Sequence, residues 1–438
     1  MAVREVPFSE LLSAIVDNRG KTCPISDAGI PLIATNCIRN ELLYPTYEKA
    51  RFVSQETYSN WFRGHPKPGD ILFVNKATPG RVCLVPDPVD FCIAQDMVAL
   101  RADAERVYPR FLFAALRSQI VQERIGTMHV GTLIPHFKKG DFDKLMIPVP
   151  DRVSQEFIGD IYYELSAKID LNQRTNETLE AMARALFKSW FVDFDPVRAK
   201  AEGRDPCLPQ ALVDLFPARL VDSELGESPE GWRVGTVGDL CAAIFSGGTP
   251  STREPTFWDG GIPWLSSGET REKVILYTER TITEAAVTNS STRLAPAKAT
   301  VIASAGQGNT RGQTSFLAFD SYINQSVVAL VADRSASSPH HLFFDLERRY
   351  EEFRRVSDAH SSRGSLTTKL LAGLQVVLPS PALVDHFDDV VDPMVTRVVE
   401  LRKQSRTIAA LRDALLPKLV SGELRVGNAE RFSERVGV

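Results

Sequence analysis

The sequence predicts an α+β chain made by internal duplication, in which two similar mixed globular units are separated by two long antiparallel α-helices. Three observations lead there. The chain matches itself at a nearly constant offset of about 230 residues, each half opens with short β-branched runs, and each half closes with a long amphipathic segment.

The repeat is clearest where FCIAQDMVAL (91–100) matches SYINQSVVAL (321–330). The same spacing sets Ile71 and Leu72 on Val301 and Ile302, Pro109 on Pro339, Leu112 and Phe113 on Leu342 and Phe343, and Lys188 on Lys418. Upstream, Gly29-Ile30-Pro31 matches Gly261-Ile262-Pro263 two residues out of step, as small loop insertions produce. A length of 438 residues also exceeds what one core usually serves.

The opening part of each half contains DILFV (70–74) and KLMIPVP (144–150), or TVIAS (300–304) and LQVVLP (374–379), among Gly, Pro, Asn and Asp punctuation. These read as strands and turns. The first long helix should start at Asp151, with apolar residues at Phe157, Ile158, Ile161, Leu165, Ile169, Leu179, Met182, Leu186 and Trp190. Steps of three and four give it one apolar stripe. The second repeats this at Phe387, Val391, Val395, Val399, Leu401, Ile408, Leu411, Leu415 and Leu419, with Gly422 as a C-terminal cap and Pro393 breaking or kinking it near its start.

Both helices begin acidic and end basic: Glu156, Asp160, Glu164 and Asp170 precede Arg174, Arg184 and Lys188, while Asp385, Asp388, Asp389 and Asp392 precede Arg402, Lys403, Arg406, Arg412 and Lys418. Antiparallel packing opposes unlike charges. Acidic first turns and basic last turns also complement the helix dipole, although the bias extends beyond the terminal turns. Some forty residues at 1.5 Å each span about 60 Å, a spacer with one globular unit toward each end. The expected segments are 1–150, helix 151–195, linker 196–230, 231–380, helix 381–425 and tail 426–438.

Composition excludes several classes. With 43% hydrophobic and 24% charged residues and no long apolar run, a membrane span is not expected, and MAVREVPFSELL lacks the pattern of a secretion signal, so a cytoplasmic protein is expected. Cys23, Cys37, Cys83, Cys92, Cys207 and Cys241 form no C-x-x-C pair and read as reduced, mostly packed thiols. A net charge of −4 means that any positively charged surface is local.

Four stretches resemble a known family: FPARLVDSELGESPEGW (216–232), FSGGTPSTREPTFWDGGIPWLSSGE (245–269), LNQRTNETLEAMARALFKSWFVDFDPV (171–197) and IAALRDALLPKLVSGEL (408–424). They are similar to specificity (S) subunits of type I restriction-modification enzymes, a coiled-coil-spaced architecture. The resemblance implies that 1–150 and about 231–380 are target-recognition domains, each reading half of a bipartite double-stranded DNA target, with the helices setting the gap. It further implies two methyltransferase (M) subunits and motor-nuclease (R) subunits as partners. S-adenosylmethionine, ATP and Mg would reside on those partners and no cofactor on this non-catalytic chain. Two alternatives stay open: a specificity subunit of a methyltransferase lacking a nuclease, and a scaffold that binds proteins but not DNA.

The residues agree with a chain lacking its own chemistry. Asp193-Phe194-Asp195-Pro196-Val197 lacks the second proline and the aromatic of an adenine methyltransferase run and reads as a helix end. Gly247-Gly248-Thr249 and Gly306-Gln307-Gly308 lack the Gly-Lys-Ser/Thr of a phosphate loop, and there is no G-x-S-x-G elbow. His129, His136 and His340-His341 lack ligand-spaced partners and read as surface or packing residues, so no metal is expected.

DNA reading needs polar and basic side chains on loops after strands. The candidates in the first unit are Asn18, Arg19, Lys21, Asn36, Arg39, Lys76, Arg81, Lys138 and Lys139. In the second they are Thr249, Ser251, Thr252, Arg253, Arg271, Lys273, Gln307, Asn309, Arg311, Ser361, Ser362 and Arg363. Gln95 and Gln325, matched by the repeat and flanked by apolar residues, read as one structural hydrogen-bonding task inside paired strands. The stripe Phe187, Trp190, Phe191 and Phe194 is a candidate for docking an M subunit, with packing against the linker or neighbouring helix as the alternative.

Overall fold

A computed structural model describes residues 3–18, 21–48, 51–128, 135–306, 309–360 and 365–424. The chain divides into two compact units, Met1–Arg174 with Gln404–Val438, and Thr175–Lys403. Each long helix contributes to both.

In the first unit an antiparallel sheet runs in the order Leu12–Asp17, Met97–Ala102, Ile71–Val74, Val82–Leu84. A three-stranded sheet places Ile30–Ile33 between Arg51–Val53, antiparallel, and Cys92–Ile93, parallel. The second unit repeats both. Cys241–Ser246, Val327–Ala332, Thr300–Ala303 and Thr314–Leu317 follow the same order, with Val274–Ile275 added at the edge. Trp258–Leu265 pairs with Arg280–Ile282 and Ser321–Ile323 as its counterpart does, and Arg293–Ala295 extends that sheet.

The ladders refine the repeat by one residue. Ile71 faces Leu100 while Thr300 faces Leu330, so Ile71 corresponds to Thr300 and not to Val301. All four residues of both strands are buried, so no alternation of burial marks which neighbour is equivalent.

Helices Pro109–Arg117 and Pro339–Glu347 start with proline, whose missing N–H is one of the helix's orphan donors anyway, and lie on equivalent faces of the large sheets. The first unit's core gathers Phe8, Phe73, Phe111, Phe113 and Phe137 with Ile158 and Tyr162 of the first long helix and Leu416, Leu419 and Val420 of the second. Gly159 permits close approach here: a Cβ would stand 2.5 Å from the Phe111 nitrogen.

Both long helices have 40 residues, Arg152–Phe191 and Pro381–Val420. They pack antiparallel within each unit. In the first, the early part of one meets the end of the other, with Asn172 Nδ2 donating to Gln404 Oε1 (2.9 Å) and Arg412 to Ser166 (3.3 Å). In the second, Glu180 receives Arg402 at 2.8 Å, and Phe187, Trp190 and Phe191 pack on Leu383, Phe387 and Val391. The orientation matches expectation, but most of the acidic starts pair elsewhere. Asp160 takes Arg110, and Asp388 takes Arg334 and His340.

Three expectations need correction. Pro393 does not break the second helix, which continues through it; a proline there removes one backbone bond from a helix whose apolar face is packed. The stretch 196–230 is not a bare linker, since it carries helices Asp195–Ala201 and Gln210–Val213 and the hairpin Leu220–Ser223/Gly226–Pro229. The stripe Phe187, Trp190, Phe191 and Phe194 offers no docking face, being at most 8% exposed in the second unit's core. Its rings lie against Phe387, Phe216, Trp232 and Phe344. Gly422 behaves as expected, with φ +77° and its amide donating to the Leu419 carbonyl.

Candidate nucleic-acid interface

At one end of the first unit's large sheet, four segments meet: the exit of Leu12–Asp17, the loop after Ile71–Val74, the turn before Met97–Ala102, and residues 135–140. Backbone and amide bonds hold them together. Asn75 receives Phe137 N–H (2.8 Å), donates its own N–H to the Asp96 carbonyl (2.9 Å), and sends Nδ2 to the Phe137 carbonyl (3.0 Å). Ala77 N–H reaches the Pro135 carbonyl at 3.0 Å.

Between them lies an open cleft of about 530 Å³, lined by Asp17, Asn18, Arg63, Asn75, Lys76, Gln95, Asp96, Val98, His136, Lys138, Lys139 and Gly140. Four cationic side chains face two carboxylates. Lys139 pairs with Asp17, and Lys76 lies 4.0 Å from Asp96, so the surplus positive charge sits on Arg63 and Lys138. A chain of net charge −4 thus concentrates positive charge locally, where it attracts phosphates.

The equivalent edge of the second unit is built differently. Asp17 faces Val98 and Ser246 faces Val328, so Asn18 corresponds to Gly247. Asn18 is buried and donates Nδ2 to the Ile93 carbonyl (2.5 Å); the matching Ile323 carbonyl instead receives Gly248 N–H (3.1 Å). Glycine is required at 247, where a Cβ would fall 1.8 Å from that carbonyl oxygen. The following loop is tied down by indole N–H groups, Trp264 to the Gly248 carbonyl and Trp258 to the Ser251 carbonyl, both at 3.2 Å. Trp258 and Trp264 meet edge to face, and Arg280 stacks over Trp258 at 3.6 Å.

The candidates divide accordingly. Lys76, Lys138 and Lys139 converge on the cleft. Lys21, Asn36, Arg81, Thr249, Ser251, Thr252 and Arg253 are exposed. Arg39, Arg271 and Lys273 are ion-paired to Glu48, Glu279 and Glu347. The Asn309 carbonyl accepts from Tyr350 (2.9 Å). Asn18 and Arg311 are corrections: both are buried, one as the strand tie just described and the other paired with Asp358. Arg19, Gln307, Ser361, Ser362 and Arg363, like His129, lie outside the described residues.

Sequence reasoning missed Arg63, Asn75 and Asp96, and noticed Gln95 only as a structural residue inside a strand. Gln95 and Gln325 lie in turns, not inside strands, and Gln325 is exposed, accepting from the Thr249 hydroxyl. His340 and His341 are packing residues as expected. His340 Nδ1 lies 2.6 Å from Asp388, whose carboxyl its hydrogen-bonding partners hold below the usual range against the opposing effect of burial. Burial pushes His341 down to about 4. Among the described residues no three His, Cys, Asp or Glu side chains are grouped to hold a metal, no helix is long and apolar enough to cross a membrane, and the cysteines are unpaired. The Asp193 run is a helix end: Phe194 has φ +57° and leads into Asp195–Ala201.

The family model for the type I restriction modification DNA specificity domain matches residues 23–181 and again 229–382. The chain belongs to that family. Its two matches fall on the two halves of the duplication, so the specificity domain occurs here twice. The chain is 27% identical over 405 residues to the type I restriction enzyme HindI specificity subunit of Haemophilus influenzae, covering 82% of this chain and 87% of that one. It is 23% identical over 402 residues to the MjaIX specificity subunit of Methanocaldococcus jannaschii, covering 91% and 87%. The crystal structure of the type I restriction-modification S subunit from M. genitalium shares the fold, with a TM-score of 0.65, 15% identity and 96% coverage of both chains.

Proposed function

We propose that this specificity chain reads a bipartite duplex, residues 1–150 contacting one half-site and 231–380 the other, with the two long helices fixing the gap. The observation that carries this reading is the duplicated sheet edge, with one strand order and two different loop sets. Equivalent scaffolds with unlike loops suit two readers of unlike sequences. In the first unit Lys76 and Lys138 would approach phosphates and Arg63 a base edge or phosphate; in the second, Ser251, Thr252 and Arg253 would enter a groove.

The chain positions DNA and leaves the chemistry to partners. Two methyltransferase subunits would dock on it and hold S-adenosylmethionine, and motor-nuclease subunits would bring ATP and Mg, in the cytoplasm. The slight acidity of the chain favours shared DNA contact within such a complex.

Chimeras test this. Replacing residues 1–150 by those of another specificity chain, in the complete complex, is expected to change the methylated sequence in one half-site only, and lengthening both helices is expected to widen the gap. Methylome sequencing in which both half-sites change together would overturn the assignment.

A further inference from the structure

The loop sets of the two units differ at nearly every position, yet one polar residue recurs at one backbone position. Asn18 is replaced by Gly247, and Lys76, by the ladder register, by Ala305, whereas Gln95 is matched by Gln325. The turns presenting these glutamines share two backbone ties. Asn75 N–H donates to the Asp96 carbonyl and Ser304 N–H to the Ser326 carbonyl, both at 2.9 Å. On the other side Ala94 N–H reaches Ile33 at 2.9 Å and Asn324 N–H reaches Leu265 at 3.0 Å.

Neither side chain is needed for that turn. Gln95 lines the cleft beside Arg63, Lys76 and Lys138. Gln325 is exposed, and the Thr249 hydroxyl occupies its carbonyl oxygen, which leaves the NH₂ group as the outward donor. A side chain kept constant on two readers of different sequences suits something both half-sites contain, and the duplex backbone is the same in each.

We propose that Gln95 and Gln325 each donate an amide hydrogen to a phosphodiester oxygen, one per half-site, as positioning contacts that set each unit's register on the duplex without reading a base. This rests on the DNA-reading assignment above. The glutamine is neutral, so its contact releases no counterion, in contrast to that of Lys138.

The test uses the full chain assembled with its methyltransferase subunits and a random-sequence duplex library, sequenced before and after capture, followed by titration of a labelled selected duplex across salt concentrations. Gln95→Ala and Gln325→Ala are each expected to weaken binding about three- to tenfold. The selected bases and the slope against salt should stay unchanged. Gln95→Lys, which can still donate to a phosphate, is expected to recover binding and to steepen the salt slope by about one; a role in folding alone would give no such rescue. The proposal is overturned if either alanine variant binds like wild type, if it changes base preference in a half-site, or if the lysine variant binds no better than alanine. If the wild-type assembly captures no duplex at all, the DNA-reading assignment itself falls.

Discussion

Replacing Asn75 by alanine should loosen the first unit's cleft without disturbing its sheet. Asn75 is 7% exposed and joins three of the four cleft segments, through its side-chain amide to Phe137 and its backbone to Phe137 and Asp96. Alanine keeps the backbone bonds but leaves the Phe137 carbonyl without its amide donor, and an unsatisfied buried group costs about 1–3 kcal/mol. For a unit of this size each kcal/mol lowers the melting midpoint by about 2–4 °C, so calorimetry should show a drop of about 2–12 °C. Residues 135–140, which carry Lys138 and Lys139, keep their backbone ties but lose the one made by the side-chain amide, so DNA affinity should fall through the first half-site while base preference in the second is unchanged. Asn75→Asp should be worse, since it presents an acceptor to an acceptor and adds charge near Asp96. An Asn75→Ala protein that melts and binds DNA as wild type does would refute this account of how the cleft is held.

Acid should destabilise the second unit through His341. The buried ring titrates near 4, below its unfolded value, so the unfolded chain binds the extra proton between about pH 6.5 and 4; stability is full above that window and falls as pH drops through it, by roughly 3 kcal/mol at most. His341→Gln should flatten that slope in urea titrations run from pH 7 to 4.5. Phe387→Ala removes a fully buried ring packed on Phe187, Trp190 and Phe191 at centroid distances of 5.8, 5.9 and 5.2 Å, with an expected loss of about 3–5 kcal/mol in denaturant unfolding. Lys138→Ala should weaken DNA binding by similar factors for all sequences and lower the salt slope by about one, as read by titration at several salt concentrations.

The duplication and both long helices were legible because a hydrophobic period sustained over forty residues has few alternatives. The one-residue register of Ile71 and Thr300 was not, since a strand buried on both faces shows no alternation. Antiparallel packing was inferred from charge, yet Asp160 and Asp388 pair mainly with the globular parts; the orientation is instead fixed by apolar contacts such as Phe187 on Phe387. The Phe187 stripe was open to a docking reading because some of its partners, Phe344 and Phe387 among them, lie more than a hundred and fifty residues further along the chain and the rest sit in or beside a stretch read as linker. The basic loops were visible as residue types, but their convergence on one cleft depends on Asn75, whose hydrogen bonds leave no mark in sequence. Gln95 was noticed for its repetition and misplaced, because a turn bounded by Ile93 and Met97 resembles a continuous strand.

The division of the long helices between the units has a consequence for how the protein is made. Leu416, Leu419 and Val420 belong to the core that surrounds Phe113 and Tyr162, so the domain whose synthesis begins first is completed last. On the ribosome, Thr175–Lys403 emerges entire and can close on itself, while the amino-terminal domain waits with part of its apolar surface uncovered until the final helix turns leave the exit tunnel. A premature stop shortly after Lys403 would therefore damage the unit that begins earlier in the chain and spare the one beside the stop.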